Sequence, residues 1–326
     1  MAQTARLTSA GTAPTIVRML DYAILGPQFH APNLSACLAS LGIAGPLVVV
    51  TAGWQEREGE IEELKEHVAL PVADLALYAR AEQVYAADPA LAAAARERQE
   101  RLQELQDLYR MRLTALMGAL GELYAEHGAS PALRRARRGA LGDVRRLDRA
   151  HLAATRAEQD RFARHWRASP RAALERHVAA LGTAIAGAEA ILVAGGHVAV
   201  LLNRLRLFGF ETLARAKPLI AWSAGAMALS DRVVLFHDRP PQGAAHAEIL
   251  EPGLGLIPGI VALPHGNARL ALEDQNRVRE FARRFAPAHC LVLEHGSLLR
   301  WHDGRLAAAR DVRRLARSGQ PVEFDT

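Results

Sequence analysis

Hydrophobic positions are spaced in two ways along this 326-residue chain, and the change of spacing divides it into three regions. From about Thr15 to Thr51, the short apolar runs "TIVRMLDYAIL" and "GPLVVVTAG" are separated by the turn-like "GPQFHAPN" and the helix-like "LSACLASLG". This order of strand, loop, helix and strand is typical of a parallel α/β sheet.

From about Gly59 to Leu181 the chain is dense in Ala, Arg, Glu and Leu, and it is predicted to be mainly helical. The segment "LPVADLALYA" is the exception, which we interpret as a strand or an irregular connection. Farther along, apolar residues at steps of three and four predict one amphipathic helix: Leu102, Leu105, Tyr109, Leu113, Leu116, Leu120 and Leu123.

Two more helices are predicted in this middle region, one from about Ala132 to near Trp166 and one from Pro170, capped by Ser169. From Ala188 onward, short apolar runs that end in Gly, Pro, His or Asp return, as in "AEAILVAGG" and "GIVALPH". A helical insertion is therefore predicted to interrupt the sheet. The predicted parts are 1–58 (first α/β part), 59–187 (mainly helical insertion, with a long hairpin at about 91–167) and 188–326 (second α/β part).

Composition narrows the classes of function. Half of the residues are hydrophobic, which predicts a buried core. The sequence pI is about 9.7, but the basic residues are almost all arginine and only 5% of residues are aromatic. A GC-rich genome explains this bias as well as nucleic-acid binding does, and stacking platforms are few. We therefore predict no nucleic-acid partner.

The remaining global features predict a soluble, cytoplasmic protein without a membrane anchor. No run of eighteen apolar residues occurs, and the N-terminus lacks a long apolar segment with a cleavage-like site. Cys37 and Cys290 are too few for a disulfide framework and form no CxxC pair, so both are interpreted as buried thiols.

Candidate chemistry begins in "LIAWSAGAMALS", where an apolar run leads through one serine into a helix-like stretch. Ser223 lies between the small residues Ala221 and Gly225, the pattern of a nucleophile elbow on a sharp strand-to-helix turn. By itself this pattern is more often explained by a helix-capping serine.

Other polar residues follow predicted strands on both sides of this serine. Gly195 and Gly196 end the strand of "ILVAGG", and their backbone N–H groups could face a developing negative charge. Downstream, Asp238 follows "RVVLF" and His265 follows "GIVALP". A serine nucleophile needs a base, and an imidazole base needs a carboxylate that holds its tautomer. Since parallel strands bring their carboxyl ends to one edge, we expect these residues to meet.

These motifs resemble one known family. "GGHVAVLLNRL", "IAWSAGA", the Asp-x-Pro of "HDRP" and "GLGLIPGIVALPH" are similar to the serine peptidase family of aspartyl dipeptidase (peptidase E) and cyanophycinase. The resemblance covers about Ala188 to Gly304 and, more weakly, Thr15 to Trp54, but not the insertion. It implies an α/β fold with a three-layer, doubly wound, mostly parallel sheet of the class I glutamine amidotransferase-like type. It also implies hydrolysis of a peptide or isopeptide bond in aspartyl-containing small peptides.

Carried over by motif, the resemblance implies that Ser223 is the nucleophile, His265 the base and Asp238 the acid of a triad. Asp238 follows Ser223 at a spacing of fifteen positions, which is similar to the dipeptidase branch. Gly196 and the backbone N–H of Ala224 would form the oxyanion hole. For the acid, Glu248 is our second candidate; Glu251 is nearer in sequence to His265 than Asp238 is, and Asp231 is interpreted as a surface residue.

The resemblance also implies substrate contacts at Gly195, His197 and Arg269. The family often has Asn or Asp in place of His197. The basic residue that reads the aspartyl carboxylate in dipeptidases has three candidate counterparts, Arg269, Arg277 and Arg279.

Alternatives remain at this stage. A non-catalytic binding or scaffold protein of the same fold could act through its insertion, whose hairpin could also form a homodimer surface. A conventional α/β-hydrolase shares the order serine, acid, histidine, but here the glycine pair directly precedes the elbow strand. A glutaminase would carry cysteine in place of Ser223. No metal or other cofactor is predicted, because the histidines match no ligand motif: His237, His246, His265, His295 and His302.

Overall fold

A mostly parallel sheet runs through the α/β part of the computed structural model, which describes residues 21–167, 171–239 and 245–325. The first twenty residues and the predicted cap at Ser169 with Pro170 lie outside the described residues. The strands are β1 (Tyr22–Leu25), β2 (Leu47–Val50), β3 (Val72–Asp74), β4 (Ala190–Val193), β5 (Leu219–Trp222), β6 (Arg232–Leu235), β7 (Glu248–Pro252), β8 (Ile260–Pro264), β9 (His289–His302), β10 (Arg305–Leu315) and β11 (Pro321–Glu323).

Nine of these strands form the main sheet in the order β11-β10-β9-β1-β5-β4-β2-β3, with β8 paired to β9. The neighbours from β1 to β3 in this order are all parallel, whereas β9 runs antiparallel to β1 and β10. The helices are α1 (Leu34–Ser40), α2 (Glu62–Val68), α3 (Leu77–Ala87), α4 (Pro89–Ala125), α5 (Pro131–Phe162), α6 (Ala172–Gly187), α7 (Val198–Leu207), α8 (Phe210–Leu213), α9 (Ala224–Leu229), α10 (Gly266–Arg269) and α11 (Gln275–Arg284).

Both faces of the central strands are buried, and this explains their uninterrupted apolar runs. In β2, Leu47 and Val49 join one hydrophobic cluster, whereas Val48 and Val50 join another. The first cluster contains residues of α1 and α2; the second contains residues of α3, α6, α7, α9 and the long helices. Alternate residues therefore bind two helical layers, and the predicted three-layer α/β fold is confirmed.

The predicted helical hairpin consists of α4 and α5, which pack against each other. Each helix begins with proline after a capping side chain: Asp88 accepts from the Leu91 N–H at 2.9 Å, and Ser130 accepts from the Leu133 N–H at 3.1 Å. The inner part of the predicted apolar stripe, including Tyr109, is buried with residues of α5. The stripe thus packs within this chain, and the homodimer stays a prediction.

A buried polar cluster fastens the hairpin to the α/β part. Asp148 of α5 binds Arg284 of α11 at 2.7 and 2.8 Å, and the Arg284 guanidinium also donates to the Tyr109 hydroxyl at 2.9 Å. That hydroxyl donates to Asp148 at 2.9 Å and accepts the Ile249 N–H of β7 at 3.1 Å. The Arg284 side chain is completely buried, so these protein groups provide the hydrogen bonds that water would otherwise make to it.

Three features differ from the sequence-based expectations. The segment "LPVADLALYA" contains both a strand and a helix start, and because β3 pairs with β2, the first α/β part extends beyond residue 58. Near the C-terminus, β9 and β10 form a long antiparallel ribbon. Most importantly, β6 leaves the main sheet and pairs antiparallel with β7, a strand that the sequence did not predict. This last difference determines where Asp238 lies.

Candidate active site

Ser223 lies at a sharp turn between β5 and α9, with φ 51° and ψ −120°. A positive φ is costly for a residue with a Cβ, and such strain is concentrated at functional sites. Small neighbours make the turn sterically feasible: Gly225 packs so closely on the Val193 carbonyl that a Cβ there would collide with it. Ser223 is thus a half-buried serine at a sharp strand-to-helix turn.

Three glycines bring neighbouring strand ends into contact around this serine. A Cβ on Gly195 would lie 2.9 Å from the Ser223 Cβ, and a Cβ on Gly53 would lie 2.5 Å from the Gly195 carbonyl oxygen. Gly196 has φ 106°, and the Gly53 carbonyl accepts the His197 N–H at 2.7 Å. The ends of β2, β4 and β5 therefore approach each other at backbone distance, which side chains would prevent.

His265 follows β8 in a left-handed conformation, with φ 57° and ψ 35°. Its backbone N–H donates to the Leu293 carbonyl at 3.0 Å, which continues the pairing of β8 with β9. Burial lowers the pKa of the imidazole, and the positive charges of Arg269 and His295 lower it further. A lowered pKa keeps the ring neutral near pH 7, as a proton acceptor must be.

Ser223 and His265 line the same cleft, which has a volume of about 740 Å³. Gly195, Gly196, Ala224 and Arg269, all predicted from sequence, also line it, and so does Glu248. Other walls come from the Pro27–Leu34 loop, the segment after β2 and helix α2, together with Leu235, Phe236 and His237. The cleft has the size of a small-molecule or short-peptide site.

Asp238 is not joined to His265. Its carboxylate accepts from the Arg277 guanidinium at 2.6 and 3.2 Å and from the Ala271 N–H at 3.0 Å. Its own N–H donates to the Arg269 carbonyl at 2.6 Å. Within the part of the chain that the structure describes, no hydrogen bond connects the side chains of Ser223, His265 and Asp238. The expectation that all three strand ends meet at one edge is wrong for Asp238, because β6 belongs to the two-stranded sheet.

The other acidic candidates are also held by partners. Glu248 lines the cleft and is bound by Gln106 and Arg110 of α4. Glu251 is buried and is bound by Gln159 and Arg206. Asp231 accepts the Gly259 N–H at 2.8 Å.

The two predicted substrate contacts with long side chains differ in position. Arg269 is exposed at the cleft and acts on the pKa of His265. His197 instead caps α7, where its Nδ1 accepts the Val200 N–H at 3.3 Å, and it is absent from the residues that line the cleft. Arg277 is bound to Asp238, and Arg279 donates to the Ser318 carbonyl at 2.9 Å.

Sequence reasoning missed three features of the cleft. Phe29 and Trp54 give it aromatic walls, and His295 lies beside His265 with ring centroids 6.2 Å apart. Gly53 was also missed, although its place in "VVVTAGW", just after a strand, resembles the places of Gly195 and Gly196. Gly53 thus carried a usable signal, whereas Phe29 and His295 come from segments whose meeting depends on the fold.

Among the described residues, no three His, Cys, Asp or Glu side chains are grouped so that they could hold a metal ion. None of the described helices combines the length and apolar character that crossing a bilayer requires. Burial raises the pKa of the Cys37 thiol to about 11 and that of Cys290 to about 12, so neither is a nucleophile near neutral pH.

A serine at a strand-to-helix turn and a histidine with a lowered pKa line one cleft beside a mixed α/β sheet, an arrangement that serine hydrolases use. Residues 165–308 match the model of peptidase family S51. The resemblance drawn from the motifs is thereby confirmed over residues 165–308, which include Ser223 and His265, and this match supports a serine peptidase.

Solved structures give a further likeness. A crystal structure of a peptidase from an acI-B1 actinobacterium is 12% identical in sequence, with a TM-score of 0.47, over 94% of this chain and 98% of that one. A protein named as peptidase E-like from Listeria monocytogenes EGD-e is 11% identical, with a TM-score of 0.42, over 91% and 100%. No curated protein matches the sequence.

Proposed function

We propose that this peptidase cleaves a peptide or isopeptide bond of small peptides, with Ser223 as the nucleophile and His265 as the general base. The observation that carries this proposal is their common cleft, in which both residues have a positive φ. Two unrelated strained residues that line one cleft are better explained by chemistry than by packing.

In the proposed reaction, Ser223 Oγ attacks the substrate carbonyl while His265 accepts its proton. His265 then gives that proton to the leaving amine, and water hydrolyses the acyl-enzyme with the same histidine as base. The N–H groups of Gly196 and Ala224 are the proposed donors to the oxyanion. Each such donor contributes roughly 3 kcal/mol to transition-state stabilisation.

We assign to Asp238 the role of the supporting acid, through the segment that follows His265. Its carboxylate and its N–H hold the Ala271 N–H and the Arg269 carbonyl, which are close in sequence to the histidine. This differs from a triad acid bound directly to the ring, and it explains how the acid can serve the site from outside the main sheet.

Aspartyl-containing peptides are the proposed substrates. The cationic Arg269 lines the cleft and acts electrostatically on His265, and it would attract a carboxylate near the reacting bond. A cleft of about 740 Å³ accommodates a short peptide.

The test is intact-mass measurement after treatment with a neutral fluorophosphonate. The wild type should gain one adduct, and Ser223→Ala should gain none. Asp238→Asn should label more slowly, because it weakens the support of the segment that follows His265. No adduct on the wild type would refute the proposed nucleophile, and normal labelling of Asp238→Asn would remove Asp238 from the mechanism.

A further inference from the structure

Glu248 is a carboxylate in the cleft that the reaction as proposed does not use. It begins β7 opposite Leu235 of β6, and both residues line the cleft with Ser223 and His265. Only 15% of its side chain is exposed. The two-stranded sheet thus places one shielded negative charge in the wall of the cleft.

The helical insertion fixes the orientation of this carboxylate. Gln106 Nε2 donates to Glu248 Oε2 at 2.9 Å, and Arg110 Nε donates to the same oxygen at 3.0 Å. The other oxygen, Oε1, has a single long contact, from Arg110 Nη2 at 3.4 Å. A contact of this length is weak, so Oε1 keeps most of its capacity to accept hydrogen bonds. Gln106 is itself 5% exposed, which makes it a built support rather than a mobile surface contact.

We propose that Glu248 is a specificity residue whose Oε1 binds a cationic group of the substrate, either a free amino terminus or a basic side chain. This inference rests on the proposed function of the cleft. The charges are arranged for it: Arg269 and His295 act on His265, whereas Glu248 belongs to the wall formed by β6 and β7. A peptide with separated negative and positive groups would match both.

Two other carboxylates that line the cleft are less suited to this task. Glu60 pairs with Arg57 at 2.7 Å, and more than half of each of their side chains is exposed. Glu63 is exposed on α2. Solvent screens such charges strongly, whereas the shielded and oriented Glu248 can discriminate between ligands.

The inference also gives the insertion a part in the site. In the part of the chain that the structure describes, no residue of α4 or α5 lines the cleft. The hairpin instead reaches it indirectly, because Gln106 and Arg110 hold Glu248. Gln106 is therefore a positioning residue for substrate recognition.

The experiment compares three diphenyl phosphonates that phosphonylate an activated serine. The first has an α-amino group and a methyl side chain, the second is its N-acetylated form, and the third is N-acetylated with a guanidinoalkyl side chain. The measured quantity is the ratio of the labelling rate of each cationic probe to that of the neutral one. Since a hydrogen bond to a charged group discriminates by about tenfold to a hundredfold, the wild type should prefer one cationic probe by that factor.

Glu248→Gln should abolish this preference, whereas Glu63→Gln, which makes the same charge change in the same cleft, should keep it. Gln106→Met should lose part of the preference, and Gln103→Met on the exposed side of α4 should lose none. The better of the two cationic probes identifies the source of the charge.

Labelling of the wild type by all three probes at one rate overturns the inference and leaves the proposed function intact. An equal loss in Glu63→Gln also overturns it, because the effect would then be the general charge of the cleft. If no probe labels Ser223, the proposed function fails, and the inference fails with it.

Discussion

The helical hairpin and the strand-end cleft differ in how well their residues satisfy local conformational preferences. Both hairpin helices are capped, and their buried Asp148 and Tyr109 are hydrogen-bonded to Arg284. In the cleft, Ser223 and His265 adopt positive φ, and glycine backbones are in contact. One region satisfies local preferences and fastens the structure, whereas the other violates them and contains the residues proposed for catalysis. Natural proteins break local rules mainly at functional sites.

The electrostatics of the two regions follow the same division. Burial alone would lower the pKa of Arg284, but the hydrogen bonds and charge of Asp148 outweigh burial and raise it. At His265 burial also lowers the pKa, and there the neighbouring positive charges add to the effect. The Arg284 guanidinium is therefore held in its charged form, whereas the neutral form of the His265 ring is favoured.

The largest expected effect comes from a pair of serines, one from each region. Ser223→Ala should lower the rate of peptide hydrolysis by more than about 10³-fold and leave the free energy of unfolding nearly unchanged. Ser130→Ala should do the reverse, costing about 1 kcal/mol of stability through the lost helix cap without affecting turnover. Kinetics and denaturant unfolding of both variants measure the two effects. Near-normal hydrolysis by Ser223→Ala would contradict the proposed role of Ser223 as the nucleophile.

Next in size is the loss of the buried pair that holds the hairpin. Asp148→Ala leaves Arg284 buried without its carboxylate, and it should lower the free energy of unfolding by about 3–5 kcal/mol. Asp143→Ala removes an exposed partner of Arg146 on the same helix and should cost less than about 1 kcal/mol. Equal losses in urea unfolding would show that the buried cluster does not fasten the hairpin.

The same type of substitution, Gly→Ala, should change the free energy of unfolding in opposite directions in the two regions. Gly53→Ala places a Cβ 2.5 Å from the Gly195 carbonyl oxygen, and such overpacking should cost about 1–3 kcal/mol and impair turnover. Gly118→Ala meets no atom within 4 Å on an exposed part of α4, and it should stabilise the helix by about 0.5–1 kcal/mol. Thermal unfolding of the two variants gives the signs; stabilisation by Gly53→Ala would contradict the close approach of the strand ends.

The smallest expected effect is a displacement of the pH profile. His265 must be neutral to accept a proton, so activity should rise as the pH increases through its lowered pKa and then level off. Arg269→Gln removes a positive charge that lowers this pKa, and the acidic limb should therefore move to higher pH. Arg279→Gln, which removes the same charge elsewhere, should leave it in place. A shift to lower pH in Arg269→Gln would contradict the assigned base.

Much of this division could be predicted from the sequence. The change from short apolar runs to a period of three to four residues located α4 and α5, and the motif around Ser223 located the strand-to-helix turn. His265 also lies where its motif indicated, at the end of β8. These predictions succeed because burial on both faces of a strand, or on one face of a helix, determines the local spacing of apolar residues.

Only the tertiary structure decided the remainder. The run "RVVLF" is a strand as predicted, but its partner is β7 rather than the main sheet, and this directs Asp238 to Arg277. Glu248 enters the cleft by the same pairing and is held by Gln106, 142 residues away. Local spacing determines which face of an element is buried, but not which element covers it. Pairing between distant segments depends on the packing of the whole chain. Here that pairing determines which charged residues lie around the cleft.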